Sequence, residues 1–373
     1  MTHSRLLPLG AAAILILALV FLAISRYDWN VSALLHVSRD FGEAYSVPAG
    51  TVLYEDGGYD GMLYYQIARD IPEILKGEPT YDSSYRWQRI LLPTLAFVGS
   101  LGNDALLPYV ILIINVASLL GSFWLFLLLV RPSIHTWTAI LNPAALIGTL
   151  FATTEPLSLF WVTLFLFLWK RQEKRITGTQ VLVLSLALLA RETILLLIFP
   201  LAAWYAGKRQ WRDASCFILT LAPYLLWMAF LFFKTPFSFE GQSTGMLAAP
   251  FTGILALLKH IFTSPNAYVL SSGAFFLFFA AALILVSRAL SEKKDVLTFL
   301  LLLSLLFFLF LDAHIWGVIT SVGRVVPALY VLYALFASEH DSSVTRTLSG
   351  ILIAISLVTA LGIAFSTHPY TLA

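Results

Sequence analysis

Nine ionisable side chains punctuate a strongly apolar chain close to where its hydrophobic segments end: Asp60, Arg86, Arg89, Glu155, Arg191, Glu192, Asp312, His314 and Arg324. Charge in or beside a membrane span is costly and by default marks a functional site. A guanidinium grips phosphate through two parallel hydrogen bonds, so the arginines suit an anionic substrate. Arg86 and Arg89 stand one helical turn apart, just ahead of the apolar stretch 90–101. Asp60 sits in Gly57-Gly58-Tyr59-Asp60-Gly61, where glycines permit a tight turn into a following helix. With Glu155, Glu192, Asp312 and His314, these groups would rim one outward-facing cavity of mixed charge.

Each residue also has a purely structural reading. Asp60 at a helix N-cap would contribute about 1 kcal/mol. Interfacial arginines snorkel towards headgroups. Arg191-Glu192 could be a local ion pair between two short helices, and Asp312 with Arg324 another. His314 fits an interfacial hydrogen-bonding role, and Asn142-Pro143 reads as a bend in a span.

Some chemistries lack their motifs. There is no phosphate-binding glycine loop ending in Lys and Ser/Thr, no GxGxxG after a strand and no HExxH, and the seven histidines are dispersed. The sequence shows no sign of ATP or nicotinamide use, so bond-forming chemistry would need a substrate that arrives already activated. A net charge of +2, scattered among apolar runs, does not suggest a nucleic-acid partner.

The elements that must position these residues follow from composition. Of 373 residues, 59% are hydrophobic and 12% charged, about half the charge of a soluble domain. With the single cysteine, Cys216, no internal disulfide can form. A helical span needs about 20 apolar residues, and the runs 7–25, 106–130, 216–233, 268–287, 296–311 and 348–365 qualify. The first run reads as a retained span, with a cleaved signal peptide as its alternative. Basic clusters at 170–175, 208–212 and 288–294 mark cytoplasmic loops. Segments 134–169 and 176–207 must then each cross out and back, turning at Thr153-Thr154-Glu155-Pro156 and at Arg191-Glu192. The chain thus reads as one all-α membrane domain, 1–373, of about eleven spans, with its N-terminus cytoplasmic and the nine site residues on the other face. The stretch 90–101 is too short to cross and reads as a half-inserted helix. The long outer loop 26–104 holds eleven of the 21 acidic residues, and 234–267 forms a second outer segment. Amphipathic helices at 62–75 and 246–262 are expected to lie in the membrane interface.

The stretch YDGMLYYQIARD, residues 59–70, resembles the first outer loop of the GT-C superfamily of integral-membrane glycosyltransferases. It is similar to the WDG-x-x-F-x-x-I-A pattern of the mannosyltransferase that adds the second mannose to GPI anchors. It is closer still to bacterial GT-C-like proteins carrying YDGQ-x-Y-Y-x-x-A, RxxRIxxP and a later Arg-Glu-Thr. The matching pieces are Tyr59-Asp60-Gly61, Tyr64-Tyr65, Arg86 to Pro93 and Arg191-Glu192-Thr193. Met62 departs from the usual Gln, and Tyr59, which replaces the eukaryotic Trp, joins the nine ionisable residues as a tenth, substrate-binding candidate.

The resemblance implies a multi-pass protein, of the bacterial inner membrane, that takes sugar from a polyprenyl-phosphate carrier on the non-cytoplasmic side. The sugar would be mannose or another hexose, and the acceptor a glycan, lipid or protein. Asp60 would be the general base, with Arg89, Arg191 and Arg324 stabilising the departing phosphate. Glu155, Glu192, Asp312 and His314 would bind sugar hydroxyls, orient the arginines or hold a metal. No cofactor is required, though Glu55-Asp56 beside Asp60 leaves a divalent metal, Mg or Mn, open. A transporter or flippase, a non-catalytic subunit, and a phospholipid-modifying transferase or polysaccharide ligase are the rival readings.

Overall fold

A computed structural model describes residues 3–55, 57–80, 84–171, 175–235, 246–292 and 295–365. Asp56, Lys174, Lys293 and Lys294 lie outside the described residues. The molecule is a helical bundle; among the described residues its only sheet is a short parallel pair, Val37–Ser38 with Leu53–Tyr54. Among the described residues five helical segments are long and apolar enough to cross a membrane: Arg5–Tyr27, Leu107–Leu129, Trp211–Lys234, Ala267–Glu292 and Ser343–Phe365. The expected span at 296–311 is the shorter apolar helix Val296–Phe310, and 216–233 is two helices, Trp211–Leu219 and Ala222–Lys234. That break falls just before Pro223, whose ring cannot sit in a helix interior without removing a hydrogen bond.

The helix Ala328–Glu339 is apolar nearly all round and runs through the core, with every residue from Ala328 to Ala337 buried. Around it pack Glu155–Arg171, Val296–Phe307 and the short helix Ile134–Thr138. Glu155–Arg171 also lies between Leu107–Leu129 and Gly178–Ala190. Asn142-Pro143 makes the expected bend: Asn142 caps Pro143–Leu150 by accepting from the Ala145 N–H at 2.9 Å. Segment 176–207 forms two helices, Gly178–Ala190 and Leu195–Gly207, with Arg191-Glu192 in the connection.

The expected helix at 62–75 is two helices, Asp60–Arg69 and Ile71–Lys76. Pro72 opens the second, and the Asp70 carboxylate turns inward to accept from the Thr80 N–H and hydroxyl at 2.8 and 2.7 Å. Nor does Asp60–Arg69 present one simple face, since Tyr64, Tyr65, Gln66, Ile67 and Ala68 are all buried. The second expected interfacial helix spans Thr252–Thr263; before it, Leu247 pairs with Leu311 in an isolated antiparallel bridge. In the short polar turns between these helices the ionisable residues meet.

Candidate active site

Asp60 occupies the first turn of its helix rather than capping it. The preceding Tyr59 is extended, with φ −132° and ψ 171°, and provides no side-chain cap. Gly57 takes φ +67°, which favours glycine. Gly61 is required for a different reason: a Cβ there would lie 2.3 Å from the Phe151 carbonyl oxygen and 2.9 Å from that of Leu35. This close approach presses the start of the helix onto the turn that precedes Glu155.

The Asp60 carboxylate therefore points into the protein. Its Oδ1 accepts from Arg86 Nη2 at 2.7 Å, and its Oδ2 from Arg324 Nη2 at 2.7 Å. Arg324 Nη1 donates to Glu155 Oε1 at 3.0 Å, so one guanidinium bridges two acids. Glu155 also accepts from Arg191 Nη1 and from the Thr153 hydroxyl. Arg89 grips Glu192 in a fork, Nε donating to Oε2 at 2.6 Å and Nη2 to Oε1, while its Nη1 donates to the Tyr64 hydroxyl at 2.9 Å. Tyr64 lies one turn beyond Asp60 on the same helix. Residues far apart in sequence are thus joined in two sets, Arg86–Asp60–Arg324–Glu155–Arg191 and Arg89–Glu192, with adjacent Arg191 and Glu192 serving one each.

Main-chain and ring contacts fix the geometry further. Arg324 Nε donates to the Thr320 carbonyl at 2.7 Å, and its guanidinium carbon lies 4.5 Å from the centre of the Tyr59 ring. The Tyr59 hydroxyl donates to the same Thr320 carbonyl at 2.8 Å, while its ring packs on Phe151 at 4.1 Å. Arg191 Nε reaches the Val325 carbonyl at 3.3 Å. Arg89, Arg191 and Arg324 are each pre-oriented by more than a carboxylate.

The site is graded in depth. Glu155 is fully buried, and Asp60, Arg89, Arg191 and Arg324 are buried. Arg86 and Glu192 retain 24% and 17% side-chain exposure and form the accessible edge. Burial alone would push the Asp60 carboxyl up; the guanidiniums of Arg86, Arg324 and Arg89 outweigh it and hold the group well below the usual carboxylate range. Burial pushes the Tyr59 hydroxyl up to about 12, leaving it a proton donor at neutral pH. Among the described residues, four guanidiniums face three carboxylates, leaving one net positive charge.

The structure thus brings together eight of the ten residues singled out in the sequence: Tyr59, Asp60, Arg86, Arg89, Glu155, Arg191, Glu192 and Arg324. The other two, Asp312 and His314, make different contacts. Asp312 caps the short helix Ala313–Trp316, its carboxylate accepting from the His314 N–H at 3.1 Å, and His314 is exposed. The local pairs Arg191–Glu192 and Asp312–Arg324 give way to the longer-range pairs above. Sequence reasoning missed Tyr64 as a clamp on Arg89 and Thr153 as a donor to Glu155. Among the described residues, buried Asn115 Oδ1, Thr154 Oγ1, Ser158 Oγ and Thr193 Oγ1, borne by residues near these acids in sequence or hydrogen bonding, have no hydrogen-bond partner.

No three His, Cys, Asp or Glu side chains among the described residues are grouped to hold a metal ion. Glu55, raised with Asp56 as a metal ligand, pairs instead with Arg39 at the surface.

No family model matches the chain, and no curated protein or solved structure matches it.

Proposed function

We propose that the chain is a GT-C-type membrane glycosyltransferase that moves a sugar, mannose or another hexose, from a polyprenyl-phosphate donor to an acceptor hydroxyl on a glycan, lipid or protein. The reading includes about eleven crossings, a cytoplasmic N-terminus and a site on the non-cytoplasmic face. The observation that carries it is a buried carboxylate, Asp60, sharing guanidiniums with the accessible edge of a network that has one net positive charge. Phosphate recognition and a carboxylate base are the two functions that transfer from a sugar phosphate needs.

In this mechanism the donor phosphate enters at Arg86 and Glu192 and takes guanidinium hydrogen bonds now made to Asp60. Held by two arginines, Asp60 is a weak base; losing one of them to phosphate raises its proton affinity where the acceptor arrives. Asp60 then removes the acceptor O–H proton as that oxygen attacks the anomeric carbon. The new C–O bond forms as the bond from that carbon to the phosphate oxygen breaks, so configuration inverts. Polyprenyl phosphate leaves with the electron pair, and Arg324, Arg86 and Arg89 stabilise the charge it gains. Asp60 returns its proton to solvent, and the product phosphate departs along the lipid-facing side.

The test is donor consumption by the purified protein in proteoliposomes. Supplied with a polyprenyl-phosphate hexose and a hydroxyl acceptor, it should release polyprenyl phosphate and form a glycoside of inverted configuration. Movement of intact donor across the bilayer without release would contradict the proposal and mark a transporter.

A further inference from the structure

A second polar site lies at the far end of the helix Glu155–Arg171. Lys170 is fifteen residues beyond Glu155, roughly 22 Å along the helix axis. There a pocket of about 460 Å³ opens between this helix, the C-terminal end of Leu195–Gly207 and the start of Val296–Phe307. Among the described residues three cations line it: Lys170, Arg175 and Lys208. Two carboxylates line it as well, but both are engaged. Glu339 pairs with Lys170, and Asp295 caps its helix by accepting from the Thr298 N–H at 2.9 Å. Arg175 and Lys208 are exposed and, among the described residues, have no carboxylate partner. Lys208 instead sits over the Trp204 ring, its Nζ 4.7 Å from the ring centre.

The remaining wall is aromatic. Trp169 donates its indole N–H to the Tyr205 hydroxyl at 3.0 Å, and Trp204 completes the group. Trp and Tyr concentrate at the level of lipid headgroups, and basic pockets between membrane helices bind anionic headgroups. We propose that this pocket binds the phosphate of an anionic membrane lipid, with Arg175 and Lys208 as its free cations and Trp169 and Trp204 packing against the glycerol and upper acyl region. A soluble phosphate would satisfy the cations but leave the aromatic wall unused, which favours the lipid. The assignment is independent of the chemistry at Asp60.

Native mass spectrometry of the full-length protein in neutral detergent tests it, with dioleoylphosphatidylglycerol and dioleoylphosphatidylcholine as probes. Retention of the anionic lipid over the zwitterionic one is expected. Arg175→Ala with Lys208→Ala should weaken that retention about thirtyfold, taking each surface cation at its usual contribution. Arg212→Ala, an exposed cation at the same end but outside the pocket, should leave it unchanged. Equal retention of both lipids, or an equal loss in Arg212→Ala, would overturn the site in favour of general surface charge. Inorganic phosphate that displaces the lipid at comparable concentration would overturn the lipid assignment. Both pocket variants alter exposed side chains, so unchanged melting without lipid confirms that any loss is local.

Discussion

The two ends of the helix Glu155–Arg171 use charge in opposite ways. At its first residue, Glu155 is fully buried and accepts from two guanidiniums and a hydroxyl. Near its last, Lys170 pairs with Glu339 while their side chains stay 32% and 44% exposed. A buried ion pair must recover several kcal/mol of desolvation per ion through geometry and extra hydrogen bonds. An exposed pair recovers about 0–1 kcal/mol and loses much of that to salt. The contrast teaches that charge at the Lys170 end is cheap enough to orient helices, whereas charge at the Glu155 end is expensive enough to need another reason. Every acid there is matched to an arginine, and those arginines are braced by carbonyls, a phenol and a ring.

This difference can be broken at either end. The largest effect is expected from Glu155→Ala, which leaves Arg191 and Arg324 buried without their shared carboxylate. It should destabilise the protein by about 3–5 kcal/mol, seen as a large fall in melting temperature in detergent. Next comes Gly61→Ala. Its methyl would lie 2.3 Å from a main-chain oxygen that cannot rotate away, so a loss of about 1–3 kcal/mol is expected. Tolerance of this change would mean that the Asp60 helix is not pressed against the Phe151 turn.

The comparison can be sharpened with acid. The Asp60 carboxyl is held below its unfolded value, which is near 3.9. Its stabilisation is therefore complete above about pH 4 and drains away as pH falls towards the folded value. Melting temperature should show no Asp60-dependent change between about pH 7 and 5, and a fall below about 4 that Asp60→Asn diminishes. The smallest effect belongs to Lys170→Ala, within about 1 kcal/mol and further reduced by salt. A Lys170 loss as large as that at Glu155 would erase the distinction between the two ends.

Much of the scaffold was legible in the sequence because membrane helices advertise themselves by length and hydropathy. The run 106–130 became Leu107–Leu129, and Arg191-Glu192 fell at a helix connection as the loop charges required. The charged residues that meet were conspicuous too, since charge in an apolar chain stands out. Their pairing was not. Arg191 and Glu192 are neighbours, but Arg191 is extended, with φ −159° and ψ 126°. Successive side chains of an extended segment point to opposite sides, so one reaches Glu155 and the other Arg89. The helix at 62–75 was misjudged for a local reason. Its apolar spacing continues through Asp70, but Pro72 and the inward Asp70 carboxylate end the first helix at Arg69. Tyr64 and Thr153 carry no charge and so gave no signal; only the fold shows what they touch.

The proposed function rests most heavily on Asp60 as the base of sugar transfer from polyprenyl phosphate. The direct measurement is the rate of polyprenyl-phosphate release by Asp60→Asn beside the parent protein, at equal amounts of folded protein in proteoliposomes. Asparagine keeps the shape and accepts a hydrogen bond through its amide oxygen, but cannot take up the acceptor proton. Robust release by the parent is expected, with a loss of at least about a hundredfold in the variant while donor binding persists. Release by Asp60→Asn at the parent rate would contradict it.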